Sequence, residues 1–387
     1  MDFTLNDEQR LLQDSVERYL ANEYPPAARR RPVAGDRGFS RETWKAFADL
    51  GWLGIGIPEE FGGVGGADVE TAVVMEAFGA ALVAEPYLAT CVLGAGIIRR
   101  AGSPAQKRAL LPRMAAGDAL LAFAFTEPGS RYELARVATR ASRSGAGFVL
   151  EGRKAVVFDA ATADALIVAA RTAGGVADRD GITLFLVAAD AKGLARRDYP
   201  TVDGRRASEL TLNGVAVDSD AVVGEVDAGL PAIERAVDGG IAAVAAEAAG
   251  IMAAINRQTL EYLKTRRQFG RPLAEFQVLQ HRMVDMFAAC ELSKSMAYMA
   301  AVRAGGDGDD ADGRARAASA AKVQIGKAGR FVGQQAVQMH GGMGMTDELP
   351  VGHYFKRLTM IDTQFGDVDF HLRRFAGGRG GGSDADE

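Results

Sequence analysis

The stretch LKTRRQFGRPLAEFQVLQH, residues 263–281, separates two long helical segments in the C-terminal half of the chain. Arg266, Arg267 and Arg271 surround Phe269, and a following proline must stop one helix before the next begins. The cluster is either a solvated basic helix end, which the helix dipole favours, or an anion site for a pyrophosphate. In the second case Phe269 supplies an aromatic surface beside the anion.

A second motif, AVQMHGGMGMT, occupies residues 336–346. Gln338 and His340 are predicted to end a helix, and Gly341-Gly342 would allow the backbone to approach a ligand closely. Taken alone, the motif is equally consistent with a helix C-cap and turn.

The predicted secondary structure changes twice along the chain, from helical to β and back to helical. Residues 1–119 are predicted to form an N-terminal helical domain, with Asn6 or Asp7 as the cap of its first helix. Short β-like runs separated by turn residues predict a middle β domain at 120–228. Ala-rich helical segments predict a C-terminal helical bundle at 229–376, and the polar, glycine-rich residues 377–387 predict a disordered tail.

Composition excludes several classes of protein. The chain has 387 residues, 48% hydrophobic and 25% charged, which is ordinary globular composition. A net charge of -5 argues against a nucleic-acid partner. Cys91 and Cys290 match neither a disulfide nor a zinc pattern, which suits a reducing cytoplasm. No signal peptide is apparent, and the apolar window 241–255 is shorter than the roughly 20 residues that span a bilayer, so we expect a cytoplasmic protein without a membrane partner.

The stretch IDTQFGDVDFH, residues 361–371, raises the question of a metal site. On a strand, Asp367, Asp369 and His371 would share one face. The surrounding Ala- and Arg-rich sequence instead predicts a turn that leads into a helix. The carboxylates are therefore interpreted as turn and cap residues, and no metal site is predicted.

The order of motifs is informative: a helical domain, FTEP (125–128) entering a β module, RRQFG (266–270) at a helix end, then QMHGG (338–342). This order resembles the acyl-CoA dehydrogenase family over nearly the whole chain. The resemblance implies an α+β fold with an N-terminal helical domain, a middle β-barrel-like domain and a C-terminal four-helix bundle. It also implies an oligomeric flavoprotein with FAD between the β domain and the bundle.

The activity that the resemblance implies is α,β-dehydrogenation of an acyl-CoA. A glutamate base takes the α-proton, and the β-hydrogen passes to flavin N5 as hydride. Electron-transferring flavoprotein is the expected acceptor. Within the family, the stretches YLKTRRQFG (262–270) and VGHYFKRLTMIDTQFGD (351–367) resemble the small subunit of heteromeric pimeloyl-CoA dehydrogenase, which points to a medium-chain or dicarboxylic acyl-CoA.

The resemblance also implies which residues would bind the cofactor, because the family builds each flavin site from two subunits. The positions that would reach a neighbour's FAD are Arg266, Gln268, Phe269, Gln338, Gly341 and Gly342. On the chain's own side Thr126 is retained, whereas Val156 and Phe158 replace the family's tryptophan and threonine, and Tyr132 replaces a serine.

The family's glutamate base has no counterpart at either of its positions. The C-terminal position holds Phe365, with Asp367 where a threonine is usual. The alternative position, on the helix leading to RRQFG, holds Gly240. Glu247 is a weak candidate, since seven residues along a helix return to the same face but about 10 Å further along the axis.

These departures favour one of three hypotheses. The chain is interpreted as the base-lacking small subunit of an α2β2 heteromer, whose larger catalytic subunit supplies the glutamate. The first alternative is an independent homomeric flavin dehydrogenase with a relocated base, Glu247 or Asp238. The second is a non-catalytic scaffold that binds acyl-CoA or a partner protein.

Overall fold

The computed structural model describes residues 4–25, 29, 33, 35, 38–306 and 310–377, and it confirms the predicted helical, β, helical order. The helices in chain order are α1 Asp7–Glu23, α2 Arg41–Asp49, α3 Asp68–Ala81, α4 Ala95–Ala101, α5 Pro104–Ala115, α6 Leu230–Thr265, α7 Gln277–Gly305, α8 Ala311–His340, α9 Val351–Thr363 and α10 Val368–Gly377. A π-helical segment, Leu88–Gly94, leads directly into α4.

The strands are β1 Leu121–Ala124, β2 Arg140–Ser144, β3 Gly147–Phe158, β4 Ala165–Arg171, β5 Ile182–Ala188, β6 Leu194–Pro200, β7 Arg206–Val217, β8 Val222–Val223, β9 Arg267–Gln268 and β10 Arg271–Pro272. By contacts, the chain forms a helical unit (residues 1–30, 68–83 and 241–387) and a second unit (31–67 and 84–240) that contains β1 to β8. The predicted tail lies outside the described residues apart from Gly377, which ends α10.

Local signals set the ends of α1 and α10 as predicted. Asn6 accepts a hydrogen bond from the Gln9 backbone, and the Gln9 side chain accepts one from the Asn6 backbone, which is a capping box at the start of α1. Asp367 accepts from the backbone N–H of Phe370 at 2.8 Å and so caps the first turn of α10. The prediction of a turn leading into a helix is therefore confirmed.

The helical unit is held together by close backbone approach and by a bundle around α8. Gly79 of α3 lies against the Glu247 carbonyl of α6, and Gly250 lies against the Glu76 carbonyl, so a Cβ at either glycine would overlap backbone atoms. α8 packs on α7, α9 and α10. The Asn256 side chain joins α6 to α7 by donating to a backbone carbonyl at 3.2 Å.

The strands of the second unit form one sheet in the order β6-β7-β3-β2-β4-β5-β8, with β1 added parallel to β4. β2 pairs with β3 along its length and with β4 at a single position, so it bridges two antiparallel groups of strands. Phe148 of β3 and Phe185 of β5 meet in the shared core, with ring centroids 5.1 Å apart. This barrel-like arrangement matches the predicted fold class.

One described helix, α6, is long and apolar enough to cross a membrane by length and composition alone, with a mean hydropathy of 1.4 in its most apolar window. That window is 89% buried within the protein. Burial of this extent is typical of a core helix.

Candidate functional site

The RRQFG motif forms a short β-hairpin immediately after α6, a feature that sequence reasoning did not predict. The Thr265 hydroxyl and the Arg266 N–H both donate to the Tyr262 carbonyl and so close the last turn of the helix. β9 and β10 then pair through a two-residue turn in which Phe269 has φ 54° and Gly270 φ 81°. Two consecutive positive φ angles are the geometry of the tight hairpin turn that matches strand twist.

The hairpin presents its side chains to the outside of this subunit. Phe269 is 90% exposed. The Arg271 guanidinium lies 4.1 Å from the ring centroid of Phe276, and Arg267 donates to the Gly270 carbonyl. Within the part of the chain that the structure describes, the Arg266 guanidinium makes no hydrogen bond or ion pair. Arg266 is therefore available to pair with an anion, whereas the other two arginines shape the hairpin.

The QMHGG motif ends α8 in an open glycine turn. Gly341 has φ 59°, which is left-handed backbone, and its N–H donates to the Gln338 carbonyl. A Cβ built on Gly341 or Gly342 meets no protein atom within 4 Å, and the Gln338 side chain is exposed. The space over this turn is open to a group from outside the chain.

The two motifs meet through one aromatic pair. The rings of Tyr262 and His340 stack with centroids 4.4 Å apart, and the Tyr262 hydroxyl donates to the His340 carbonyl at 3.3 Å. Burial lowers the pKa of His340, so the ring is neutral at physiological pH. Sequence reasoning missed this pair; the only signal for it was that His340 belongs to one motif and Tyr262 lies four residues before Arg266 of the other.

These residues fit the phosphate and backbone contacts that FAD requires. Arg266 offers an exposed guanidinium for a pyrophosphate, Phe269 an exposed ring, and Gly342 a backbone over which a Cβ would meet no atom of the described residues within 4 Å. Gln268 lies between the first two on β9 and donates to the Arg267 carbonyl at 2.7 Å.

In the second unit, which contains β1 to β8, Thr126 lies in a loop that is held by a buried ion pair. Its carbonyl accepts from the Ala155 N–H at 2.9 Å. The neighbouring Glu127 carboxylate accepts from Lys154 Nζ at 2.6 Å and from the backbone N–H groups of Ala138 and Thr139. Burial lowers the pKa of Lys154 to about 8, with Glu127 opposing the shift. Burial raises the pKa of Glu127, but Lys154 and the hydrogen bonds from Thr139 and Ala138 together outweigh it, so the net shift of the pKa is downward.

The segment that carries Val156 is a β-bulge. The pairing of β3 with β7 shifts between Lys154 and Val157, and Val156 has φ 52°, a conformation that is costly for a β-branched residue. The Val156 N–H donates to the Glu209 carboxylate at 3.3 Å, and Glu209 also accepts from the Tyr199 hydroxyl at 2.8 Å. The bulge therefore forms with a valine at this position and is held by a contact from β7.

Neither position of the family base brings a carboxylate to a site. Phe365 lies in the turn between α9 and α10 with φ 63°, and its carbonyl accepts from His371 Nε2 at 3.1 Å. Lys322 fixes the preceding end of α9 by donating to the carbonyls of Ile361 (2.5 Å) and Asp362 (3.1 Å). Gly240 is buried within α6.

Glu247 is committed to a buried ion pair. Its two oxygens accept from Arg357 Nε at 2.7 Å and Arg357 Nη2 at 2.6 Å, and only 1% of its side chain is exposed. Arg357 Nη2 also lies 3.5 Å from the Gln364 side-chain oxygen. A carboxylate bound in this way is a structural group and is poorly placed to accept a substrate proton. The other candidate, Asp238, is 1% exposed on α6.

No group of three or more His, Cys, Asp or Glu side chains within the described ranges is arranged to hold a metal ion. His371 is buried between Ser319 Oγ, 3.2 Å from Nδ1, and the Phe365 carbonyl. Asp369, by contrast, is exposed. The two side chains therefore point into different surroundings.

Profiles of three domains match the chain in sequence. The profile for the acyl-CoA dehydrogenase N-terminal domain matches residues 6–118, that for the middle domain residues 122–215, and that for the C-terminal domain residues 227–376. The probable acyl-CoA dehydrogenase YngJ of Bacillus subtilis is 31% identical over 367 residues, which are 94% of this chain and 95% of that protein.

Solved structures give the same result in three dimensions. A chain in the crystal structure of the ChsE4-ChsE5 complex from Mycobacterium tuberculosis is similar with a TM-score of 0.87 and 29% identity, over 97% of this chain and 98% of that chain. Butyryl-CoA dehydrogenase from Megasphaera elsdenii is similar with a TM-score of 0.89 and 26% identity, over 97% and 99% of the two chains.

Proposed function

The chain belongs to the acyl-CoA dehydrogenase family of FAD-dependent oxidoreductases, and we propose that it is the base-lacking subunit of a heteromeric acyl-CoA dehydrogenase. In this role it completes the flavin site of a larger catalytic subunit. That subunit supplies the glutamate that removes the α-proton of the acyl-CoA. FAD, when bound, takes up the hydride removed from the acyl chain.

One observation carries the proposal: the base positions hold Phe365 and Gly240, while the segments that would serve a neighbour's cofactor are intact and exposed. A chain that had drifted without function would be expected to lose both sets of residues together. The alternative carboxylate, Glu247, is bound on both oxygens by Arg357, which weakens the hypothesis of a relocated base.

The residues of this chain have distinct proposed roles at the partner's cofactor. Arg266 pairs with the pyrophosphate, since a guanidinium matches phosphate oxygens with two parallel hydrogen bonds. Phe269 covers an apolar surface of the cofactor. Gly341 and Gly342 let the backbone approach closely, because no side chain intervenes there.

The first half of α7, directly after the hairpin, supports assembly with a second chain. Four of its large apolar side chains are each at least 60% exposed: Val278, Val284, Phe287 and Leu292. Beside them lies a largely apolar groove of about 410 Å³ between α6 and α7. Exposed apolar surface of this kind marks an interface, and we assign it to the larger catalytic subunit. The similarity to a chain of the ChsE4-ChsE5 complex is consistent with a two-chain assembly.

The experiment is to express this chain with an affinity tag in the organism that encodes it, purify it with its partner, and count chains and FAD. We expect fewer flavins than chains. Gly342→Ala should leave the fold intact, because its Cβ meets no atom within 4 Å in the part of the chain that the structure describes, yet lower the flavin content of the complex. Gly377→Ala, which is equally unobstructed at the end of α10, is the matched control.

Two results would overturn the proposal. The chain purified alone with one FAD per chain, and able to dehydrogenate an acyl-CoA, would establish the homomeric alternative. A complex that keeps its full flavin content when it carries Arg266→Ala would favour the non-catalytic scaffold, because the exposed guanidinium would then have no role at the cofactor.

A further inference from the structure

The stacked pair Tyr262–His340 lies at the junction of the two flavin-lending segments. Tyr262 is in the last turn of α6, four residues before Arg266, and His340 is the last residue of α8, next to Gly341. The two residues are 78 positions apart in sequence. The pair therefore links the hairpin, residues 266–273, to the glycine turn, Gly341–Met345.

The Tyr262 backbone and the His340 ring also make hydrogen bonds at the ends of their own helices. The Tyr262 carbonyl accepts from the Arg266 N–H at 2.8 Å and from the Thr265 hydroxyl at 3.1 Å. His340 Nδ1 lies 2.9 Å from the Ala336 carbonyl, and because a carbonyl only accepts, Nδ1 carries the proton. The His340 ring is therefore fixed to its own helix, and the backbone of Tyr262 holds the first residue of the hairpin.

The hairpin itself is closed at its base. The Leu273 N–H donates to the Arg266 carbonyl at 2.9 Å, so residues 266–273 move as a unit with the end of α6. The glycine turn has the opposite character, since Gly341 and Gly342 carry no side chain to anchor them and have open space around them. His340, which is only 5% exposed, is the anchor immediately before the turn.

From these contacts we infer that Tyr262 and His340 are positioning residues that hold the hairpin and the glycine turn at one fixed separation. This inference rests on the proposed function, in which both segments serve one cofactor in another subunit. A pyrophosphate that is bound by Arg266 on one segment and by the glycine backbone on the other needs both at a constant distance. The pair supplies that constraint before any cofactor binds.

Hydrogen exchange on this chain alone tests the coupling without flavin. Tyr262→Ala should speed amide exchange in Gly341–Met345, and His340→Ala should speed it in residues 266–273, each in the segment remote from the substitution. Tyr262→Phe keeps the stacked ring and removes only the bond to the His340 carbonyl, so it should change exchange little. His340→Phe should likewise retain the stack.

Flavin retention in the purified complex is the second measurement. Either alanine variant removes the stacked ring contact and weakens or removes the hydrogen bond that accompanies it. We expect this to lower the affinity of the complex for FAD by roughly tenfold. The double alanine variant should lose no more than either single one, because both remove the same contact. Partial or full recovery in Tyr262→Phe and His340→Phe would show that the stack matters rather than the bulk of either residue.

The outcomes separate this inference from the proposed function. Unchanged exchange in the remote segment of both alanine variants overturns the positioning role, whatever the flavin content. A general rise in exchange across α6 and α8 in the phenylalanine variants as well would mean that the pair only maintains the helices, and this also overturns it. A wild-type complex without flavin overturns the proposed function but leaves the exchange result standing.

Discussion

Replacing Glu247 tests whether its carboxylate is structural or catalytic. Glu247→Gln keeps the shape of the side chain but removes the carboxylate charge that contacts the Arg357 guanidinium; only 3% of the arginine side chain is exposed. Breaking one side of a buried ion pair typically costs about 3–5 kcal/mol. Because glutamine still offers one acceptor oxygen, we expect the free energy of unfolding to fall by about 3 kcal/mol, the lower end of that range.

A second variant separates the ion pair from the packing. In Glu247→Leu/Arg357→Met both charges are removed together and apolar groups of similar size replace them. Substitution of a whole buried pair in this way is often neutral or stabilising. We therefore expect the free energy of unfolding of the double variant to be within about 1 kcal/mol of the wild-type value, and clearly higher than that of either single variant.

The assay is urea unfolding at a fixed protein concentration, followed by two probes. Both tryptophans, Trp44 and Trp52, belong to the second unit, so their fluorescence reports on that unit, while far-UV circular dichroism is dominated by the long helices. Lys294→Met is the control. In Lys294→Met the lost pair, at 2.7 Å, is only partly exposed (42% for Lys294, 14% for Glu76), so this control should cost less than Glu247→Gln but more than the about 0–1 kcal/mol of a surface pair.

The reasoning would be refuted by a Glu247→Gln variant that unfolds within about 1 kcal/mol of the wild type while the complex loses dehydrogenase activity. Glu247 would then act as a base with only an incidental arginine contact. The reasoning would also be refuted if the loss of stability in the double variant equalled the sum of the losses in the two single variants. Such additivity would mean that Glu247 and Arg357 do not stabilise each other.

Two further predictions concern the helical unit. Gly79→Ala should destabilise it by at least about 1–3 kcal/mol, because its Cβ would overlap the Glu247 carbonyl of α6, whereas Gly377→Ala should be neutral in the same circular dichroism melt; equal midpoints for both variants would contradict this packing. His371→Gln should be less stable than the wild type above pH 6.5, and the difference should shrink as the pH falls towards 3. Burial, with Lys322 and Arg374, lowers the pKa of His371 from 6.5 to about 3. Below pH 6.5 the unfolded chain therefore binds a proton that the folded chain does not, and the stability that the neutral ring contributes is progressively lost. A difference in melting temperature between the two proteins that stays constant from pH 8 to pH 4.5 would exclude the effect.

Much of the fold was predictable from local patterns. The cap at Asn6, the turn at Asp367 and the stop after α6 depend on residues within a few positions of one another, and all three occur as predicted. The change from helical to β texture and back likewise follows from local periodicity. The β9–β10 hairpin was missed because a stop signal at Pro272 does not specify how the chain passes between two helices.

The properties of the charged and aromatic groups were not predictable, because they depend on partners far away in sequence. Glu127 meets Lys154 across 27 residues and Glu247 meets Arg357 across 110, and nothing in the intervening sequence requires either contact. The bulge at Val156 is held by Glu209, which is on another strand.

The amino-acid sequence by itself determined the order of the elements and the absence of a carboxylate at Phe365 and Gly240, since side-chain identity and local periodicity need no partner. Only the tertiary structure decided which remaining groups are available. In the folded chain Arg357 donates to both oxygens of Glu247, Arg266 is exposed, and the stacked rings of Tyr262 and His340 connect two motifs that are distant in sequence. The physical reason is that desolvation and pairing arise when helices pack, and packing brings together residues that the sequence keeps apart.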